Sequence, residues 1–149
     1  MTRTTSDHAA ESTSWMARFA DYMFEASMPR VVREVRTEAS STFREVITDL
    51  ESPMPAAFER EIARTLNGVG SELIPAETLM PAMMKRFGLA EEAFVDDGDK
   101  AVRQLQATCN HCPEVGRCWR AMRSDTSRES CRAFCPNADA FEEKAGTAA

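Results

Sequence analysis

The residues in this chain best suited to chemistry are five cysteines, Cys109, Cys112, Cys118, Cys131 and Cys135, with none earlier in the sequence. They read Cys-x2-Cys-x5-Cys-x12-Cys-x3-Cys, and Pro136 follows the last. Thiolates gathered at such short spacing bind soft metals or iron–sulfur clusters. Two cysteines separated by two residues let one turn of backbone aim both sulfurs at a common centre. Four sulfurs suffice for one [4Fe–4S] or [2Fe–2S] cluster, or for one zinc ion. A zinc site built from two pairs would take Cys109 and Cys112 with Cys131 and Cys135, leaving Cys118 unused. A cluster would take the close trio Cys109, Cys112 and Cys118 with one remote cysteine. Three ligands within ten residues suit a cuboidal cluster better than a single tetrahedral ion. The expected cofactor is therefore an iron–sulfur cluster, [4Fe–4S], with zinc as the alternative. A thiol–disulfide switch using Cys131 and Cys135 is a third reading.

The neighbouring residues add detail. Backbone N–H groups between Asn110 and Gly116 can hydrogen-bond cluster sulfur and tune its potential. Gly116 is expected to let the loop before Cys118 turn tightly. Trp119 and Met122 are expected on a short helix that shields the site. Asn137 suits the cap of a final helix bearing Phe141. Arg117, Arg120, Arg123, Arg128 and Arg132 lie among the cysteines, either offsetting an anionic cluster or forming a solvated face. His111 could replace a cysteine as ligand, but an outward position or a bond to cluster sulfur is the expectation. With only His8 and His111 in the chain, nucleophilic catalysis has little material, and no catalytic residue is assigned.

The segment Cys109-x2-Cys112-Pro113-x4-Cys118-Trp119-x2-Met122 resembles part of the WhiB-like proteins, which hold a [4Fe–4S] cluster sensitive to oxygen and nitric oxide. The likeness covers about ten residues. The upstream fourth cysteine, the Gly-Trp turn and the basic tail of that family are absent, so DNA regulation is not implied. Residues 79–145 also resemble a bacterial family of short proteins built on a domain of unknown function, with a C-x2-C-x5-C segment followed by F-C-P-N-A. Here the matching residues are Cys109, Cys112, Cys118 and Phe134-Cys135-Pro136-Asn137-Ala138. That resemblance implies Cys109, Cys112, Cys118 and Cys135 as ligands, with Cys131 as the alternative fourth. It implies no activity.

The elements that must position these residues read as all-α, four or five helices with a C-terminal cysteine-rich module. A first helix is expected from Ser12, Thr13 or Ser14, with Trp15, Phe19, Met23 and Phe24 at helical spacing, interrupted at Pro29. A second is expected over 30–50, with Val31, Val35, Ala39, Phe43, Val46, Ile47 and Leu50 as its stripe and Ser40–Ser41 as its weak middle. Pro55 opens a third with Phe58, Ile62 and Leu66, stopped by Asn67-Gly68-Val69-Gly70. Pro75 and Pro81 begin Met-rich helical turns ended by Gly88, and Met80, Met83 and Met84 are expected in the core. Asp99 is the expected cap of the helix that delivers Cys109. No β-alternation is present. The domains are then a disordered start at 1–11, a bundle over 12–108 and a cysteine-rich module over 109–149 packed on it.

The chain has 149 residues, 43% hydrophobic and 28% charged, ordinary for a globular protein. Its net charge of −6 argues against a binder of nucleic-acid phosphate. No apolar stretch is long enough for a bilayer, and the polar start lacks a secretory core, so a cytoplasmic protein is expected. A reducing compartment favours metal ligation over structural disulfides. Redox sensing or electron transfer with a protein partner is the expected role, and the sequence leaves the oligomeric state open.

Overall fold

The computed structural model describes residues 5–67 and 72–148, with side chains for 15–67 and 72–147. The fold is all-α. Among the described residues there are nine α-helical segments: α1 Thr5–Glu38, α2 Ser40–Thr48, α3 Ala56–Leu66, α4 Pro75–Thr78, α5 Met80–Arg86, α6 Asp99–Asn110, α7 Val115–Met122, α8 Arg128–Arg132 and α9 Ala138–Ala148. A 3-10 turn, Val95–Asp97, precedes α6. Most of the additional segments come from short helices between the prolines and around the cysteines. Among the described residues, no helix is long and apolar enough to cross a membrane.

The first two helices divide differently from the expectation. α1 runs through Pro29 and ends at Glu38, and the break falls at Ala39, whose backbone leaves the helical region at φ −133° and ψ 57°. An internal proline costs a helix about 3 kcal/mol in isolation. Here Met28 and Val32 on either side of it are buried in the core, and that packing offsets the loss. The Ser40–Ser41 pair opens α2 instead of weakening the middle of a longer helix. Residues 1–4 of the expected disordered start lie outside the described residues, and α1 takes in 5–11. Trp15, Phe19, Met23 and Phe24 lie in α1 as their helical spacing predicts, and all four are exposed.

Downstream, proline and glycine set the boundaries as expected. Pro55 stands just before α3, and Pro75 and Pro81 lie in the first turns of α4 and α5. Gly88 takes φ +78°, a left-handed conformation that glycine adopts without strain, and closes α5 while the Leu89 N–H donates to the Met84 carbonyl at 2.9 Å. The stop after α3 holds at Asn67, and Gly68 to Gly70 lie outside the described residues. Gly98, not Asp99, occupies the cap of α6, and Asp99 becomes its first acidic residue.

One continuous core joins the N-terminal helices to the cysteine-bearing ones. Val32 of α1, Phe43 and Ile47 of α2, Ile62 and Leu66 of α3, Met83 and Met84 of α5, Trp119 of α7 and Phe141 of α9 all belong to it. Phe141 packs against Phe87 and Phe94, with ring centroids 5.7 and 6.0 Å apart. Trp119 is fully enclosed, and its Nε1–H donates to the Ile47 carbonyl at 2.8 Å. That bond turns the indole toward α2. Trp119 and Met122 therefore serve the core, and neither lines the cysteine recess described below.

Contacts at both ends hold α7 in place. Gly116 lies within α7, not in a loop, and its surface abuts α3. A Cβ at Gly116 would stand 1.8 Å from the Ala63 carbonyl oxygen, so only glycine permits this approach. The Gly116 N–H donates to Asn67 Oδ1 at 2.7 Å, fixing the register of the two helices. At the other end of α7, Arg123 pairs with Glu59 at 3.2 Å and stacks over Trp119 at 4.9 Å. Arg86 donates to the carbonyls of Ala121, Ser124 and Thr126, tying α5 to the end of α7 and the turn that follows it.

Candidate metal centre

Each cysteine comes from a different local context. Cys109 lies in the last turn of α6, whose end is tied to α4 by the Ala76 N–H donating to Asn110 Oδ1 at 3.0 Å. The chain then turns, with the Cys112 N–H donating to the Cys109 carbonyl at 3.2 Å. Cys118 follows in α7, one turn before the end set by Arg86 and Arg123. Cys135 sits between α8 and α9, where its N–H donates to the Cys131 carbonyl at 3.0 Å. Ser127 caps α8 by accepting from the Ser130 N–H at 3.2 Å, which fixes where this last turn starts.

Cys109, Cys112, Cys118 and Cys135 line one recess. Its other walls are Pro75, Leu79, Met80, Met83, Val115, Phe134 and Pro136, all apolar, and the cavity among them is small, about 30 Å³. The structure thus brings together the four cysteines that the F-C-P-N-A resemblance implies as ligands. Cys131 is fully enclosed in α8 and is not among the lining residues. All five cysteines are free. Among the described residues, no three His, Cys, Asp or Glu side chains are gathered closely enough to hold a single metal ion. The thiols face a shared space without converging on one point.

Hydrogen-bond donors approach three of the four lining sulfurs. Asn137 Nδ2 donates to Cys109 Sγ at 3.3 Å and to the Leu105 carbonyl at 2.9 Å. The Asn137 backbone N–H donates to the Cys135 thiol. The Glu114 N–H donates to Cys112 Sγ at 3.3 Å, within the Asn110–Gly116 stretch expected to offer such groups. Asn137 is buried, and its side chain points at α6 rather than capping α9.

Burial governs the protonation of these thiols. It pushes Cys135 up to about 11 from an ordinary 9.0, opposed by the Asn137 N–H and reinforced by neighbouring cysteines. Burial also raises Cys109, with the Asn137 hydrogen bond opposing, and Cys118, with Cys135, Cys109 and Cys112 adding like-charge repulsion. Cys131 is raised by burial and drawn back by the Arg86 charge. In the metal-free protein Cys109, Cys118 and Cys135 are therefore neutral thiols at physiological pH. A cation placed among them would reverse the repulsion, because ligation requires thiolates.

The other sequence candidates stand outside the recess. His111 is exposed, and its Nδ1 pairs with the Ala107 carbonyl at 2.9 Å. The side chain of His8 lies outside the described residues. Arg117 stacks over the ring of Phe134, a wall of the recess, at 4.7 Å. Arg120 pairs with Glu59 at 3.5 Å, and Arg128 and Arg132 pair with Glu142, Arg132 at 2.5 Å. Of the five arginines, Arg117 is the one set against a wall of the site.

Sequence reasoning did not identify Asn137 as a donor to sulfur, nor Pro75, Leu79, Met80 and Met83 as walls. An asparagine directly after Cys-Pro is a usable signal for the first. The second depends on α4 and α5 folding over α6, which no local pattern encodes. No known protein family matches the chain, and no curated protein or solved structure matches it either.

Proposed function

We propose that this protein binds one iron–sulfur cluster, [4Fe–4S], through Cys109, Cys112, Cys118 and Cys135, and works in redox sensing or electron transfer in the cytoplasm without turning over a substrate. The observation that carries this reading is that four free thiols from separate elements line a single apolar recess. The close trio Cys109, Cys112 and Cys118, three ligands within ten residues, favours a polynuclear group over a single zinc ion. The apolar walls also suit a cluster, since burial and hydrogen bonds to sulfur are the protein's means of setting its potential.

When bound, such a cluster supplies one-electron chemistry. The chain's own residues do the rest. Met80, Met83, Leu79 and Phe134 limit water, Asn137 and the Glu114 N–H donate to sulfur, and Arg117 places positive charge behind Phe134. A protein partner is implied by a redox role, because electrons or a signal must leave the site.

Anaerobic purification followed by visible spectroscopy and iron, sulfide and zinc analysis tests the reading. The expected protein is brown, with about four irons and four sulfides per chain. A colourless protein carrying about one zinc per chain establishes the structural-zinc alternative instead.

A further inference from the structure

The N-terminal half of α1 carries large apolar side chains that nothing among the described residues covers. Trp15, Met16, Phe19, Tyr22 and Met23 are all more than half exposed, and Tyr22 is 67% exposed. At about 100° of rotation per residue, these five and Ala26 form one stripe roughly 120° wide, centred on Phe19. Met28 and Val32, which anchor the same helix in the core, lie about 180° and 220° around from Phe19. The stripe therefore faces away from the body, and no rearrangement of the packed face would bury it. It ends at Ala26, after which Arg30, Arg33 and Thr37 occupy the same side of the helix.

We infer that this stripe is a homodimer interface, in which α1 of one copy packs on α1 of a second. Met16, Phe19, Met23 and Ala26 follow a 3-4-3 spacing, the seam of two paired helices. An antiparallel pair centred on Phe19 sets Trp15 and Tyr22 of one copy against Met23 and Met16 of the other. That contact is self-complementary, as a twofold interface requires, and it joins thioether sulfur to aromatic rings. Trp15 and Phe19 already stack at 6.0 Å with planes 11° apart, giving a flat platform for the second helix.

The area is adequate. With about 150–250 Å² per aromatic side chain, the exposed parts of these residues amount to on the order of 600 Å² per copy, so two copies bury roughly 1,200 Å², the lower bound of stable interfaces. Charge disfavours a lipid surface as the occupant. Between Thr5 and Met28, α1 carries Asp7, Glu11, Asp21 and Glu25 against Arg18 as its one basic residue. Helices that lie on membranes are rich in Lys and Arg on the polar face.

Sedimentation equilibrium of the full chain over a concentration series tests the inference. The expected mass is twice the 16.6 kDa of one chain, returning to a single chain in Phe19→Glu. Tyr22→Ser is the second variant should Phe19→Glu lose helix by circular dichroism. Val95→Glu, at an exposed apolar residue elsewhere, is expected to leave the mass doubled. A single-chain mass at every concentration overturns the inference. So does a doubled mass in the folded stripe variants, which would place the interface on another face. Binding to phosphatidylserine vesicles that abolishes the doubled mass would assign the stripe to a lipid surface instead.

Discussion

Asn137 and Cys109, separated by 28 positions, meet at 3.3 Å, the amide donating to the thiol sulfur. The same amide donates to the Leu105 carbonyl, so one buried side chain joins the turn before α9 to the last turns of α6. Replacing Asn137 by alanine removes both bonds and leaves buried acceptors. The expected loss is about 1–3 kcal/mol of stability in the metal-free chain, read from urea unfolding. In the loaded protein the absorbance is expected to bleach faster in air than wild type. Unchanged bleaching would mean that the amide serves the fold alone.

The roles of the cysteines separate by substitution. Cys118→Ser is expected to abolish cluster assembly, with iron and sulfide per chain falling close to zero. Cys131→Ser is expected to retain both, because Cys131 lies outside the recess, and to lower the unfolding midpoint through a buried hydroxyl. Retention of iron by Cys118→Ser with loss in Cys131→Ser would move the ligand set to the C-terminal pair.

Burial of the thiols makes the metal-free fold sensitive to alkali. Cys135 ionises near 9.0 in the unfolded chain and near 11 in the folded one. Between these values the unfolded state has released the proton that the folded state still holds. Stability is thus fully present below about pH 9 and falls as the pH rises toward 11. Cys109 and Cys118 act in the same direction. Urea midpoints of the metal-free protein at rising pH check this, and a Cys135→Ser variant is expected to show a shallower decline.

Gly116→Ala is expected to be among the most damaging single changes outside the recess. The added methyl would meet the backbone of Ala63, which no side-chain rotation can relieve. Separating α3 from α7 is expected to cost about 3 kcal/mol and to carry Cys118 out of position. A thermal melt together with iron content measures both effects. A wild-type melting temperature in Gly116→Ala would show that the two helices have room to part.

Helix identity was legible in the sequence wherever a proline, a glycine or an apolar stripe acted locally. The starts of α3, α4 and α5, the end at Gly88 and the core methionines follow from such signals. Pro29 misled because helix propensity is weaker than the burial of Met28 and Val32 beside it. The spacing of Trp15 and Phe19 correctly marked a helix but left their exposure open, because a stripe at helical spacing shows that a face is apolar without showing what it meets. The gathering of four cysteines was readable from spacing together with the F-C-P-N-A motif. The turn of Asn137 toward α6 and the packing of Trp119 into the core depend on contacts with Leu105 and Ile47, far away in the chain.

The preformed recess also determines what ligand loss leaves behind. Bringing Cys109 beside Cys135 closes a loop of 27 residues, an entropic cost that a ligand must cover alone in chains that fold only around their metal. Here Phe141, Trp119 and the contact of Gly116 with Ala63 hold that loop closed without using any sulfur. A chain stripped of the proposed cluster should therefore persist as a folded receptor that can be refilled.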